Sequence, residues 1–206
     1  MGRSKSSRRW LEEHTTDHFV ALAKKEGYRS RAVYKLAELD TKEQLFKPGD
    51  YVIELGASPG SWSQYISEKI GAHGQLLAID ILPMDTFANV HFIQGDFNDE
   101  STYQAIAGFS NERQADLVIS DMAPNITGNS SLDAPRAIHL AELACELACE
   151  TLNSPGTFLT KVFQGNGFNE YTKMLRGHFE KVKVHKPKAS RQRSREVYIV
   201  ARNPKL

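Results

Sequence analysis

The chain has 206 residues, 40% of them hydrophobic and 25% charged, a balance that fits one globular domain with short extensions and excludes wholesale disorder. No run of about 18 apolar residues occurs, so no membrane span is expected, and the Arg- and Ser-rich start lacks the apolar segment of a secretory signal. The net charge of +1 hides an asymmetry: residues 1–47 carry net +4, residues 48–160 net −12 and residues 161–206 net +9, so an acidic centre lies between basic ends suited to a polyanion.

In chain order, residues 1–9 read as a loose basic tail. From Trp10 to Leu39 the apolar spacing is helical, with Phe19, Leu22, Val33, Leu36 and Leu39 as inward positions. Pro48-Gly49 punctuates the end of this region, which divides the chain into a basic N-terminal extension and helical region (1–47) packing on a core (48–206). From there strands and helices alternate. Strands are expected at 51–55, 75–80, 90–93, 116–120, 157–163, 179–184 and 196–201. Helices are expected at about 61–70, 99–108, 133–153 and 168–177, the longest capped by Asp133 and stopped by Pro155-Gly156. The fold class is α/β, a Rossmann-like arrangement: a seven-stranded, mainly parallel sheet with helices on both faces. No helix separates the last two strands, so they pair antiparallel around the basic segment 185–195. Cys145 and Cys149, four apart in a helical run, suggest neither a disulfide framework nor a metal site, and a reducing, cytoplasmic setting fits.

Candidate chemistry collects where strands end. Glu54-Leu55-Gly56-Ala57-Ser58-Pro59-Gly60 turns from strand to helix, and glycines there let a ligand approach the backbone. The spacing is not the dinucleotide fingerprint, because Ser58 stands where its second glycine belongs. Asp80 closes the next strand, placed to accept from ribose hydroxyls, and Asp96 follows the third, placed for an adenine edge. Each feature alone is also ordinary turn or cap chemistry; in register they point to an adenosyl ligand. Asp121 follows the fourth strand, Lys161 sits near the end of the fifth and Glu196 opens the last. If that strand is antiparallel the three converge, and Lys35 of the helical region folds over the same edge. A lysine in an apolar strand must be paired or functional. A structural ion-pair network is the alternative reading.

Basic residues frame this edge. Arg3, Lys5, Arg8, Arg9, Arg29 and Arg31 lie on one side. The acid-free run containing Lys181, Lys183, Lys186, Lys188, Arg191, Arg193 and Arg195 lies on the other. Both suit phosphate contacts, which position a nucleic acid without specifying it. Trp10 or Tyr28 is a candidate for stacking on a splayed base.

Taken together, Ser-Arg-Arg-Trp at 7–10, Arg-Ser-Arg-Ala at 29–32, Glu-Leu-Gly-Ala-Ser-Pro-Gly-Ser-Trp-Ser-Gln at 54–64, Ser-Asp-Met-Ala-Pro-Asn at 120–125, Lys-Val-Phe-Gln-Gly at 161–165, Lys-Pro-Lys-Ala-Ser-Arg at 186–191 and Ser-Arg-Glu-Val-Tyr at 194–198 closely resemble the FtsJ family of heat-shock RNA 2′-O-ribose methyltransferases, over nearly the whole chain. The resemblance implies a catalytic tetrad of Lys35, Asp121, Lys161 and Glu196. It implies S-adenosyl-L-methionine contacts at Gly60, Trp62, Asp80, Asp96 and Asp121. Ser58 and Ser61 stand where the family has Ala and Gly. The implied reaction is 2′-O-methylation of a uridine in the 23S ribosomal RNA of the large subunit. From the residues themselves, the basic ends are expected to grip RNA through Arg8, Arg9, Arg29, Arg31, Lys186, Lys188, Arg191 and Arg193, and the absence of a long apolar seam points to a monomer, in the cytoplasm. Two other readings stay open: a methyltransferase for transfer RNA, and a non-catalytic ribosome-assembly factor that uses the same basic ends. A nucleotide-dependent oxidoreductase is disfavoured by the turn spacing.

Overall fold

The computed structural model describes residues 17–97, 99–110, 113–125, 127–128, 130–191 and 193–205. Seven strands, β1 (Tyr51–Leu55), β2 (Gln75–Asp80), β3 (Val90–Gln94), β4 (Ala115–Ser120), β5 (Leu152–Phe163), β6 (Phe179–His185) and β7 (Glu196–Pro204), form one sheet in the order β3-β2-β1-β4-β5-β7-β6. The first five pair in parallel, and β7 runs antiparallel between β5 and β6. Six helices are described: α1 (His18–Glu26), α2 (Val33–Glu43), α3 (Ser61–Ile70), α4 (Glu100–Ser110), α5 (Ser130–Thr151) and α6 (Phe168–His178). This is the expected Rossmann-like α/β arrangement, with its antiparallel final strands.

The inner strands are buried on both faces, so each sends alternate side chains into two cores, while the edge strands β3 and β6 are largely half-buried or exposed. Ile53, Leu55, Val118, Val162, Val197 and Ile199 pack with Ile106 of α4, Ala144 and Ala148 of α5 and Tyr171 and Leu175 of α6. Val52, Leu117, Ile119, Leu159, Tyr198 and Val200 pack on the opposite face with Val33, Leu36 and Leu39 of α2 and Trp62, Ile66 and Ile70 of α3. The region before residue 48 therefore contributes to the same core as the sheet. Among the described residues no helix is long and apolar enough to cross a membrane, and both cysteines are free thiols.

Three local expectations are corrected. The helical pattern through Leu39 is two helices: α1 ends before Gly27, and α2 begins only at Val33, after a turn in which Ser30 Oγ accepts from the Ala32 N–H. Asp133 lies inside the first turn of α5 rather than at its cap. Its carboxylate reaches back to accept from the N–H groups of Thr127 and Gly128 and from the Thr127 hydroxyl. That leaves the helix free to begin earlier, at Ser130. At its other end, Pro155-Gly156 does not stop the helix, which gives way at Leu152 to β5. Ala115 pairs with Leu152 and Leu117 with Thr157, so residues 153–156 bulge out between two paired positions.

Candidate active site

The carboxyl ends of β4 and β5 and the start of β7 meet at one edge of the sheet. This happens because β7 is antiparallel: Phe163 at the end of β5 pairs with Glu196 at the start of β7, and Lys161 pairs with Tyr198. Lys161, only 8% exposed at its side chain, places Nζ 3.0 Å from Asp121 Oδ1 and donates to the Asp121 carbonyl as well. Lys35, reaching over from α2, places Nζ 2.7 Å from Glu196 Oε1. The four residues expected to converge are thus brought together as two ion pairs. A buried lysine needs such a partner, since leaving either charge alone costs several kcal/mol.

Tyr198 joins the two pairs, and the sequence reading assigned it no role. Its hydroxyl donates to Asp121 Oδ1 at 2.9 Å, and Lys35 Nζ lies 5.9 Å from the centre of its ring. Burial, then the neighbouring carboxylates of Asp121 and Glu196, hold its phenol well above the ordinary value, so it stays protonated and acts as a donor. A signal was present: Glu196 and Tyr198 are two apart on a strand, which puts both side chains on the face that carries Lys161. Ser190 and Lys186 also escaped notice as positioning groups. The Ser190 hydroxyl donates to Glu196 Oε1 at 2.9 Å, and the Lys186 ammonium donates to the Glu196 carbonyl at 2.7 Å.

The adjoining edge, at the ends of β1, β2 and β3, is acidic. Asp80 accepts from the Ser58 N–H and the Leu82 N–H at 2.8 Å each. Each carboxylate oxygen keeps a further lone pair for a ligand hydroxyl. The Gly95 N–H donates to the Asp80 carbonyl, which ties the end of β2 to the segment carrying Asp96. Beside Asp80, Ile81 and Leu82 are 59% and 57% exposed, an apolar face next to a hydroxyl acceptor. Beneath them Glu54 is fully buried. Ser63 Oγ donates to its Oε2 at 2.5 Å, while Oε1 has no hydrogen-bond partner among the described residues. Burial, reinforced by the charges of Asp121 and Asp80, pushes the Glu54 carboxyl up to about 8.

Gly56 and Gly60 are both required. Each has positive φ, and a Cβ on Gly56 would stand 2.9 Å from the Met122 backbone nitrogen. The turn therefore packs directly against the loop that carries Asp121. Above Gly60, Arg29 and Met84 close over the turn: a Cβ there would meet Arg29 Nη1 at 2.5 Å and Met84 Sδ at 2.7 Å.

Other expected residues are placed differently. Trp62 is 3% exposed, its indole N–H donates to the Ala32 carbonyl at 2.8 Å, and its ring lies 5.8 Å from that of Tyr198. Its side chain underpins the tetrad, leaving its main chain for any cofactor contact. Arg29 donates to the carbonyls of Pro59 and Asp85 and stacks over Phe87. Arg31 pairs with Asp17, donates to the Ala189 carbonyl and stacks over Phe19. Both guanidiniums are thus engaged within the chain, where they fasten the turn before α2 to its surroundings. The Lys186 ammonium is likewise engaged with backbone carbonyls of Ser194 and Glu196. Lys188 and Arg193 are exposed and Arg191 is half-buried. Arg8, Arg9 and Trp10 lie outside the described residues.

Comparison with known proteins adds an independent line. The model of a family described as FtsJ-like methyltransferase matches residues 28–204. A Legionella pneumophila protein named ribosomal RNA large subunit methyltransferase E is 52% identical over 206 residues, covering the whole of both chains. A crystal structure of a protein described as a ribosomal RNA methyltransferase from Plasmodium falciparum superposes with a TM-score of 0.76 at 31% identity, covering 86% of this chain and 98% of that one. A fibrillarin from Aeropyrum pernix, solved with S-adenosyl-L-methionine bound, gives a TM-score of 0.58 at 19% identity, covering 84% of this chain and 75% of that one. At that identity the likeness concerns the fold alone.

Proposed function

Because the chain belongs to the FtsJ-like methyltransferase family, we propose that it transfers a methyl group from S-adenosyl-L-methionine to a ribose 2′-hydroxyl, that of a uridine in the 23S RNA of the large ribosomal subunit. The observation that carries this reading is the pair of ion pairs, Lys161–Asp121 and Lys35–Glu196, drawn to one sheet edge beside an acidic cleft. A protein that only bound RNA would need no buried lysine–carboxylate set there. The family relatives named for large-subunit ribosomal RNA support the substrate.

The acidic cleft fits the cofactor. The carboxylates of Asp80, Asp96 and Asp121 complement its sulfonium and ammonium charges. The remaining lone pairs of Asp80 suit ribose hydroxyls, the exposed Ile81 and Leu82 suit an adenine face, and the buried Oε1 of Glu54 is left for a polar partner. When bound, S-adenosyl-L-methionine supplies an activated methyl group on a positively charged sulfur.

The protein then has to position an oxygen and deal with its proton. Asp121, held by Tyr198 and by Lys161, fixes the lysine ammonium group at the reacting edge. The Lys161 ammonium offsets the charge developing on the 2′-oxygen as that oxygen gains the methyl carbon and releases its proton to water; only as the free amine, its own proton given up first, does Lys161 take that proton itself. Glu196 anchors Lys35, whose charge completes the stabilisation. We read the chain as one domain acting as a monomer in the cytoplasm, where the basic segment around Lys188, Arg191 and Arg193 meets the RNA backbone.

The test is methyl transfer from labelled S-adenosyl-L-methionine to large ribosomal subunits isolated from cells lacking this protein, with the modified nucleotide mapped. Label on one ribose 2′-oxygen of the large-subunit RNA is the expected result. Label that appears only when transfer RNA is offered would replace the substrate. No label on any RNA, with cofactor binding intact, would leave a binding role.

A further inference from the structure

A cavity of about 510 Å³ lies on the α5 side of the sheet edge, apart from the cofactor cleft. That is within the range of about 300–1,000 Å³ typical of small-molecule sites. Pro124, Ile138 and Phe163 give it apolar walls; Gln164, Asn166 and Arg195 give it a polar rim. No residue identified above as tetrad or cofactor cleft lines it except through chain continuity, and that continuity is its key feature. Pro124 is three residues from Asp121, Phe163 two from Lys161, and Arg195 is next to Glu196. Three chain segments thus each carry one tetrad residue and at least one cavity residue. At about 3.3 Å per extended residue, the tetrad and the cavity stand within roughly 10 Å of each other. The walls are locked in register, because the Gln164 N–H donates to the Arg195 carbonyl at 2.9 Å and Phe163 pairs with Glu196.

We propose that this cavity receives the base of the acceptor nucleotide, splayed out of its stack, while the ribose of the same nucleotide lies at the tetrad. The proposal rests on the ribose-methylation reading and names how that site holds its substrate. The chemistry of the lining matches a nucleobase on three counts. Apolar walls accept the flat faces of a ring that has left its neighbours. The carboxamides of Gln164 and Asn166 make no hydrogen bond to another described residue. Each offers both a donor and an acceptor, as the edge of a base requires. Arg195, exposed at the mouth, meets the phosphate that must follow a base turned inward. The spacing admits one nucleotide: a base and its own 2′-oxygen are a few ångströms apart, and the cavity and the tetrad stand within roughly 10 Å of each other.

Two variants test this, each checked for an unchanged unfolding midpoint. Asn166→Ala removes one edge contact, and Ala134→Phe fills the cavity from the first turns of α5. Three quantities are measured beside wild type: affinity for S-adenosyl-L-methionine, affinity for a short hairpin of large-subunit RNA, and methyl transfer to large subunits. The expected result is cofactor affinity within twofold of wild type for both variants. Asn166→Ala raises the KM for the subunit about five- to tenfold, the effect of one lost hydrogen bond. Ala134→Phe lowers kcat/KM on the order of a hundredfold, because the ribose is displaced from the lysine. Transfer at the wild-type rate by Ala134→Phe overturns the proposal. If wild type itself labels no RNA, the methylation reading fails separately. The cavity is then judged on hairpin affinity, which falls in both variants if a base enters and is unchanged if none does.

Discussion

Tyr198 shares Asp121 with Lys161, and the two contacts have different worth. The hydroxyl supplies one neutral hydrogen bond of 2.9 Å, whereas the ammonium supplies the charge that makes a carboxylate tolerable at this depth. Tyr198→Phe should lower kcat about tenfold and destabilise the fold by about 1 kcal/mol, since Asp121 keeps its lysine. Lys161→Ala should lower kcat by about a thousandfold, the scale of a lost proton-handling group, with cofactor affinity retained. Steady-state kinetics with a cofactor titration separates the two, and near-normal turnover by Lys161→Ala would remove it from the chemistry. Glu54 makes a different prediction. Its carboxyl is raised from 4.5 to about 8, so the folded chain holds a proton that the unfolded chain gives up. The stabilisation is complete below about pH 4.5 and is lost as pH rises through about 8, with a slope of up to about 1.4 kcal/mol per pH unit. Glu54→Gln keeps the bond from Ser63 and cannot ionise. Its urea midpoint should stay flat between about pH 5 and about pH 8 while that of wild type falls, and parallel curves would refute the assignment.

At the scale of elements, the turn between β1 and α3 is the most demanding point in the chain. Gly56→Ala would force a Cβ to within 2.9 Å of the Met122 backbone nitrogen at a φ of +79°. Neither backbone can yield without moving Asp121, whose own N–H donates to the Leu55 carbonyl. The expected cost is about 2 kcal/mol or more, read from the denaturation midpoint, together with weakened cofactor binding. The inner strands were legible because doubly buried strands read as continuous apolar runs, Tyr51–Leu55 being buried at every position, and the edge strand β6 was legible by its alternation of apolar and charged residues. Strand boundaries were less so. The early start of β5 at Leu152 depends on a pairing with Ala115 that no local pattern announces. The tetrad was legible as strand-end polar residues, and the resemblance fixed its membership. Tyr198 was missed because a tyrosine in an apolar strand looks like core, and in volume it is core; only its hydroxyl reaches the site. For Arg29 and Arg31 the sequence shows a charge without showing the carbonyls that also engage it.

For the whole molecule, the division of charge matters more than its sum. The cation-rich segment 181–195 flanks the tetrad edge, while the acidic stretch 48–160 holds the cofactor cleft. On the proposed function, one polyanion and one small cation would be drawn to neighbouring places without competing. RNA affinity should therefore fall steeply with salt. With four phosphate contacts to a single strand, the loss between 50 and 200 mM salt is about fiftyfold. Lys188→Glu combined with Arg193→Glu should flatten that dependence, leaving cofactor affinity unchanged. A salt response near zero in wild type would remove this face as the RNA surface.

The placement of β7 also fixes an order of assembly. Among the described residues strand β6 has no neighbour but β7, and β7 lies between β6 and β5 although it follows both in the chain. The first five strands pair successively in parallel, β7 adds to β5, and β6 can join the sheet only through β7. Arrival of β7 brings Glu196 and Tyr198 to Lys161 in the same event that gives β6 its only partner. A molecule stalled before that event would already possess the acidic cleft yet have no catalytic edge, so competence to hold the methyl donor would precede competence to spend it.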